Sequence, residues 1–306
     1  MNFRVKCCGL QFENPLVLAS GYLGVTGASL ANVAKNGAGG VTSKTLFMEE
    51  RAGYPNPTSL TFPGGLINAM GLSGEGIRNA KAEFETYRNL APDCPILGSV
   101  GGKTLKELVE CAEIMDTYPV DLIELNLSCP SGADEKELPF SCDPDITAKI
   151  TRAVRKVTRK PISVKLSPKA YRIGEIAQRA EAEGADAITA VNGMGPGMLI
   201  DIRMRAPSLG NKVGDVSGQA LKPIALGCVY EIYEHVKIPI IGTGGIVNGN
   251  DAIEMLMAGA TLLGIGSAIA YYDLKAFAMI QEKIKRFMEE EGFKDISDLV
   301  GIAHKR

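Results

Sequence analysis

The chain has 306 residues, 45% hydrophobic and 22% charged, the balance of a globular protein and the length of two domains or one large α/β barrel. Thirty-three basic and 35 acidic residues leave a net charge of −2, which excludes the electrostatic footprint of a nucleic-acid binder. No apolar run reaches the ~18 residues of a membrane span, and the first residues, Met1-Asn2-Phe3-Arg4-Val5-Lys6, lack a signal-peptide core, so no membrane association and a cytoplasmic location are expected.

From the N-terminus, residues 3–6 and 10–12 flank Cys8-Gly9 and read as a short β-hairpin. Eight short apolar runs follow, at 16–20, 40–44, 96–100, 122–127, 162–166, 187–192, 238–242 and 262–266. Most are continuously hydrophobic, as parallel strands buried on both faces must be. The spacing between them predicts helices over 29–36, 74–90, 104–116, 144–157, 173–183, 223–235 and 250–257, with a last one over 274–290. Gly37, Gly184 and Gly259 stand where helices stop before strands. Eight strand–helix units in about 270 residues match an α/β fold of the (β/α)8 TIM-barrel type. A doubly wound sheet is the alternative. With no Pro/Ser-rich linker or compositional shift, residues 1–306 read as a single domain. Two long loops, 47–72 after the second strand and 193–218 after the sixth, open on the C-terminal face, where barrel active sites are built.

Polar residues end several of these strands: Ser20, Lys44, Ser99, Asn126, Lys165 and Asn192. A lysine closing a buried strand is costly unless it meets an anion or an electron-rich ring, or snorkels to solvent. Two lysines facing one mouth point to a ligand with several acceptors or negative charge. The turns Gly242-Thr243-Gly244-Gly245-Ile246 and Gly264-Ile265-Gly266-Ser267-Ala268 each follow a strand and open a helix, so their N–H groups can face a phosphate. Gly101-Gly102-Lys103-Thr104 mimics the end of a P-loop, but position 97 is leucine where that motif needs glycine.

Histidine chemistry has little room. His235 closes a helix, where a cation is favourable, and His304 lies in a tail expected to be mobile. The seven cysteines include no C-x-x-C pair, which argues for free thiols and no metal site. Cys111 and Cys228 fit the core faces of helices, and Cys94 and Cys142 fall in loops, the latter near the mouth. Cys129, in Asn126-Leu127-Ser128-Cys129-Pro130, stands just past a strand end before a proline, a place suited to acid–base work on a carbon acid. A Schiff-base lyase using Lys44 or Lys165 is a rival reading.

Taken together, Ala19-Ser20-Gly21, Ser43-Lys44-Thr45, Asn68-Ala69-Met70-Gly71-Leu72, Asn126-Leu127-Ser128-Cys129-Pro130, Val164-Lys165-Leu166-Ser167-Pro168, Asn211-Lys212 with Ser217-Gly218, and Gly242-Thr243-Gly244-Gly245 resemble the dihydroorotate dehydrogenase family, in order along nearly the whole chain. The likeness is closest to its class 1, whose catalytic base is cysteine, and to the two-subunit, NAD-linked branch. Ile200-Asp201-Ile202-Arg203 and Lys222-Pro223-Ile224-Ala225-Leu226 support that branch. The resemblance implies FMN across the barrel mouth, its phosphate on Gly244, Gly245, Gly266 and Ser267. Ser20, Gly21, Lys44, Thr45, Ser99, Asn126, Val191 and Gly218 would complete the flavin site. Lys165 would stabilise negative charge on the reduced ring. Lys44, Asn68, Ala69, Met70, Gly71, Leu72, Asn126, Asn192 and Gly193 would contact the dihydropyrimidine substrate. Cys129 would remove the C5 proton of dihydroorotate while C6 delivers a hydride to the flavin, yielding orotate for pyrimidine (UMP) biosynthesis.

Four departures bear on this. Ser131 stands where the family has asparagine after Ser-Cys-Pro, and Gly193 where it has threonine or serine. Ser73-Gly74-Glu75-Gly76 replaces Asn-Pro-Gly, and Ser99 replaces asparagine. The first two remove polar groups expected to face the orotate ring and carboxylate, a kind of loss that alters specificity strongly. With the loop 132–142, they leave a uracil- or thymine-type dihydropyrimidine dehydrogenase as the alternative. The chain holds no cysteine cluster for an iron–sulfur centre and no dinucleotide fingerprint. The NAD-linked branch therefore implies a partner subunit carrying FAD and [2Fe-2S], and the family implies a homodimer.

Overall fold

Strands that are apolar on both faces need cover on both, and a sheet that closes on itself inside a ring of helices supplies it. The structure, a computed structural model, describes residues 1–128 and 139–305. The chain runs through β1 (Val5–Cys7), β2 (Leu10–Phe12), β3 (Leu16–Leu18), α1 (Gly27–Lys35), β4 (Gly40–Thr42), β5 (Ser59–Phe62), β6 (Gly65–Asn68), α2 (Lys81–Leu90), β7 (Ile96–Val100), α3 (Leu105–Asp116) and β8 (Leu122–Asn126). It continues with α4 (Pro144–Arg155), β9 (Ile162–Leu166), α5 (Ile173–Ala182), β10 (Ala187–Ala190), β11 (Met194–Gly197), β12 (Ile200–Asp201), β13 (Ala206–Pro207) and β14 (Gly214–Ser217). Last come α6 (Lys222–His235), β15 (Ile240–Thr243), α7 (Gly249–Met257), β16 (Leu262–Ile265), α8 (Ser267–Tyr272) and α9 (Lys275–Glu291).

Eight of these strands form a closed barrel in the order β3-β4-β7-β8-β9-β10-β15-β16, and β16 pairs back onto β3 in parallel. This is the expected (β/α)8 barrel, one unit of strand and helix following another. Its floor is stitched by two acidic residues placed just before strands. Asp121 accepts from the N–H of Ile96 and from Arg88, and Asp186 accepts from the N–H of Ile162 and from Arg155. The β1–β2 hairpin lies against the same end: the Cys8 thiol donates to the Asp186 carbonyl at 3.3 Å. The Phe12 ring occupies the space that a side chain at Gly40 would need.

Helix starts follow local chemistry. Thr26, Thr104, Asp143 and Asn248 cap α1, α3, α4 and α7 with their side-chain oxygens. The Lys103-Thr104 pair thus opens a capped helix. The helix expected from residue 74 begins instead at Lys81. Gly76 adopts φ +79°, which breaks a helix, Gly74 bridges to Arg51, and only a 3-10 turn, Ile77–Asn79, precedes α2. The short helix α8 escaped the periodicity because six residues hold under two turns.

The two long connections are not simply loops. β5 and β6 from the first pair with β11 and β14 from the second in one four-stranded sheet, ordered β11-β14-β6-β5. Asp215, Val216 and Ser217 lie opposite Asn68, Ile67 and Leu66. The sheet rises from the C-terminal face and walls one side of the barrel mouth.

His304 is not in a mobile tail. Its ring stacks on Tyr230 with centroids 3.7 Å apart, and Nε2 lies 3.1 Å from the Ala258 carbonyl. The stack and the hydrogen bond tie the C-terminus to α6 and to the end of α7. His304→Ala is expected to cost about 1 kcal/mol, lowering Tm by roughly 2–4 °C by calorimetry. An unchanged Tm would mean the anchor contributes nothing. Among the described residues, no helix is long and apolar enough to cross a membrane.

Candidate active site

The C-terminal strand ends gather most of the polar side chains expected there. Lys165 sits on β9 and is 3% exposed. β9 stands opposite β3 in the ring of eight strands, yet Lys165 Nζ donates to Ser20 Oγ, just past β3, at 2.7 Å. The side chain therefore reaches across the barrel to Ser20. A lysine buried this deeply does not snorkel to solvent.

The charge facing it was not anticipated. Glu124, in the middle of β8, is 2% exposed, and its Oε1 lies 3.8 Å from Lys165 Nζ. The same oxygen accepts from Ser99 Oγ at 2.8 Å. From Ser99 a line of short contacts leads to Thr45 (2.9 Å), from Thr45 to Asn126 (3.0 Å), and from Asn126 to Ser128 (2.5 Å). Five predicted residues, Ser20, Thr45, Ser99, Asn126 and Lys165, thus belong to one network with an acid that sequence reasoning missed. The signal was available, since a glutamate interrupts an otherwise apolar strand in Leu122-Ile123-Glu124-Leu125. Lys44 is half-buried at the end of β4, its N–H bonded to the Gly24 carbonyl.

The glycine turns occupy the neighbouring corner. Gly244 and Gly245 have φ of +116° and +78°, where glycine carries no steric penalty. Thr243, at the end of β15, holds the buried side-chain oxygen that lacks a hydrogen-bond partner among the described residues. Its Oγ1 stands directly over Gly264, where a Cβ would fall 1.6 Å away. Gly266 and the buried Ser267 open α8, whose first N–H groups meet no capping side chain. Lys222 braces the turn from behind, bonded to Asp251 and Glu254 at 2.9 and 3.1 Å. These bonds, that to Asp251 foremost, hold its ammonium above the ordinary lysine range. Asp251 in turn accepts from the N–H groups of Val247 and Asn248. Gly21, at φ +103°, borders open space beside Ser20, and the Val191 N–H bonds the Thr243 carbonyl.

Of the residues expected to touch substrate, Lys44 and Asn126 lie at barrel strand ends and the others border the raised sheet. Asn68 ends β6, and Ala69, Met70, Gly71 and Leu72 form the turn beyond it, with Gly71 and Leu72 both at positive φ. Asn192 and Gly193 lead from β10 into β11, and Gly218 follows β14 at φ +78°. Asp215 links the two sides. It pairs with Asn68, and a Cβ at Gly193 would meet its side chain at 2.8 Å. Lys169, beyond β9, reaches its carboxylate at 3.7 Å.

Cys129 and Ser131 lie outside the described residues. On either side of that segment, Ser128 ends the polar network, and the Ser141 hydroxyl accepts from the Ser167 N–H. Cys142, next to it, is near the mouth as expected. Burial pushes its thiol up, opposed by Lys169. Among the described residues, no group of three or more His, Cys, Asp or Glu side chains is placed to hold a metal ion.

A buried ammonium at the C-terminal end of the barrel, with glycine turns beside it, is chemistry suited to an anionic, multi-acceptor ligand. Comparison with known proteins bears on which. A family profile described as dihydroorotate dehydrogenase matches residues 2–288. Among curated relatives, a protein of Methanothermobacter thermautotrophicus named dihydroorotate dehydrogenase B (NAD(+)), catalytic subunit, is 39% identical over 97% of this chain and 97% of its own length. Those of the same name from Methanocaldococcus jannaschii and Pyrococcus furiosus are each 40% identical, over 99% and 100% of this chain and 98% and 100% of their own. None of these three is named for a neutral dihydropyrimidine.

Proposed function

The chain belongs to the dihydroorotate dehydrogenase family, and from that membership we propose that it oxidises dihydroorotate to orotate as an FMN-dependent catalytic subunit in pyrimidine biosynthesis. The observation that carries this reading is the buried Lys165 ammonium, held at the C-terminal end of the barrel by Ser20 and Glu124.

The residues present fit FMN. The turns at Gly244, Gly245, Gly266 and Ser267 would hold its phosphate on main-chain N–H groups. Gly21, where a Cβ would meet nothing within 4 Å, leaves room beside Ser20 in which a ring system would lie. Bound FMN supplies a two-electron, hydride-accepting centre.

The chain's own groups do the rest. Lys165 places positive charge where negative charge develops on reduction, and the low-dielectric surroundings strengthen that effect. Ser99, Thr45 and Asn126 orient one another in the flavin and substrate site. Lys44, residues 68–72, Asn126, Asn192 and Gly193 bind dihydroorotate, whose carboxylate finds lysine at the mouth. Cys129 takes the C5 proton; a thiol of ordinary pKa near 8.5 serves as a general base close to neutral pH without a histidine. The site is carried on a single cytoplasmic domain spanning 1–306. A separate subunit with FAD and [2Fe-2S] passes electrons on to NAD, and the catalytic chain pairs as a homodimer.

The test is anaerobic reduction of the FMN-reconstituted protein. Dihydroorotate is expected to bleach the visible flavin band within seconds and dihydrouracil to leave it unchanged. Bleaching by dihydrouracil alone would assign the site to neutral rings, and a protein that retains no FMN would overturn the reading.

A further inference from the structure

Burying a carboxylate costs several kcal/mol unless charge and hydrogen bonds compensate it. Glu124 has both. Its side chain and that of Lys165 are 3% and 4% exposed, and the two charges stand 3.8 Å apart. Ser20, the other partner of Lys165, is neutral, so Glu124 is the acidic group within ion-pair distance of this ammonium among the described residues.

The carboxylate also decides which way the neighbouring hydroxyls point. An ionised carboxylate only accepts, so the single Ser99 proton is committed to Glu124. Thr45 must then donate to Ser99, and with its own proton spent it accepts from the Asn126 amide nitrogen. That leaves Asn126 Oδ1 facing Ser128, which donates to it from both its N–H and its hydroxyl. Every donor from Ser128 onward points toward Glu124, and Ser128 directly precedes Cys129 in the chain. One acid at the end of such a chain polarises all its members.

We propose that Glu124 is a positioning residue for this reaction, holding Lys165 at the flavin side and fixing the orientation of Thr45 in the flavin site and of Asn126, which flavin and substrate share. The proposal rests on the reading above, in which Lys165 lies beside bound FMN. Glu124→Gln keeps an acceptor for Ser99 and removes the charge. In the FMN-loaded protein it should change the relative affinity for reduced and oxidised flavin about tenfold, shifting the two-electron midpoint potential by about 30 mV. Ser99→Ala cuts the chain and keeps the ion pair, so the potential should move less than in Glu124→Gln while KM for dihydroorotate rises several-fold.

A second measurement needs no flavin. In thermal unfolding of the full chain, Glu124→Gln and Lys165→Met should each lower Tm, and the double variant should recover most of the loss, because removing both charges leaves neither buried alone. A Glu124→Gln protein that binds FMN at an unchanged potential, or a cycle whose effects simply add, overturns the proposal. A coupled cycle in a chain that retains no FMN supports the ion pair and overturns the flavin reading instead.

Discussion

Replacing Cys129 by serine is expected to slow reduction of bound FMN by dihydroorotate by roughly 10²–10⁴-fold at neutral pH, the range lost with a positioned general base. The reason is chemical. A thiol ionises near pH 8.5, so a few per cent is thiolate at neutral pH, whereas an aliphatic hydroxyl is essentially un-ionised there. Neither histidine takes over, because both are engaged elsewhere. His235 Nδ1 lies 2.8 Å from the Glu231 carbonyl at the end of α6, and His304 is stacked on Tyr230. The pH profile gives the sharper signature. Below the thiol pKa, the rates of parent and variant rise together; above it the parent levels off while the serine variant keeps rising. The deficit therefore narrows at alkaline pH, by about tenfold within one to two pH units. Anaerobic stopped-flow across that range measures it. Parental rates in the variant, or a deficit that widens with pH, would remove Cys129 from the role of base.

Gly245→Ala should weaken FMN binding at least about 100-fold, a loss of about 2.7 kcal/mol. Position 245 has φ +78°, and a Cβ there would lie 2.5 Å from Lys222 Cα and 2.6 Å from its backbone nitrogen. These are main-chain atoms, and Lys222 is pinned to Asp251 and Glu254. The turn itself must therefore shift, carrying Gly244 and the neighbouring N–H groups with it. Gly292→Ala is the internal control: it shares φ +78° but would meet nothing within 4 Å. It should cost only the left-handed backbone strain, about 1 kcal/mol, and leave FMN affinity alone. Flavin fluorescence titration of the two variants reads the difference directly. Equal affinity in both would mean the turn does not hold the phosphate.

How much of this was legible beforehand follows from how far apart the interacting residues are. The barrel was visible because most of its strands are apolar on both faces, a local property of a few consecutive residues. The mouth was visible for a related reason: Ser20, Lys44, Asn126 and Lys165 break those runs at or near their ends. Glu124 breaks one in the middle and was passed over, since only the approach of β9 and β7 shows that its charge is answered by Lys165 and its oxygen by Ser99. The raised sheet was read as two loops because neither half contains enough alternation to register as paired strands. Asn68 and Asp215 meet across 147 residues of chain. His304 looked like a frayed end because nothing next to it in sequence holds it; Tyr230 and Ala258, far earlier in the chain, do.

The division has one physical cause. Burial on both faces, helix capping and the left-handed turns at glycine are set by a residue and its immediate neighbours, so composition and spacing alone determined the barrel, its eight units and the residue types at its mouth. Which charge compensates which, and which way each hydroxyl points, depends on groups that several strands bring within 4 Å of one another. Closure of the barrel placed the Lys165 ammonium beside Ser20, just past the opposite strand, and Glu124 on the adjacent one, and that decision belongs to the tertiary structure.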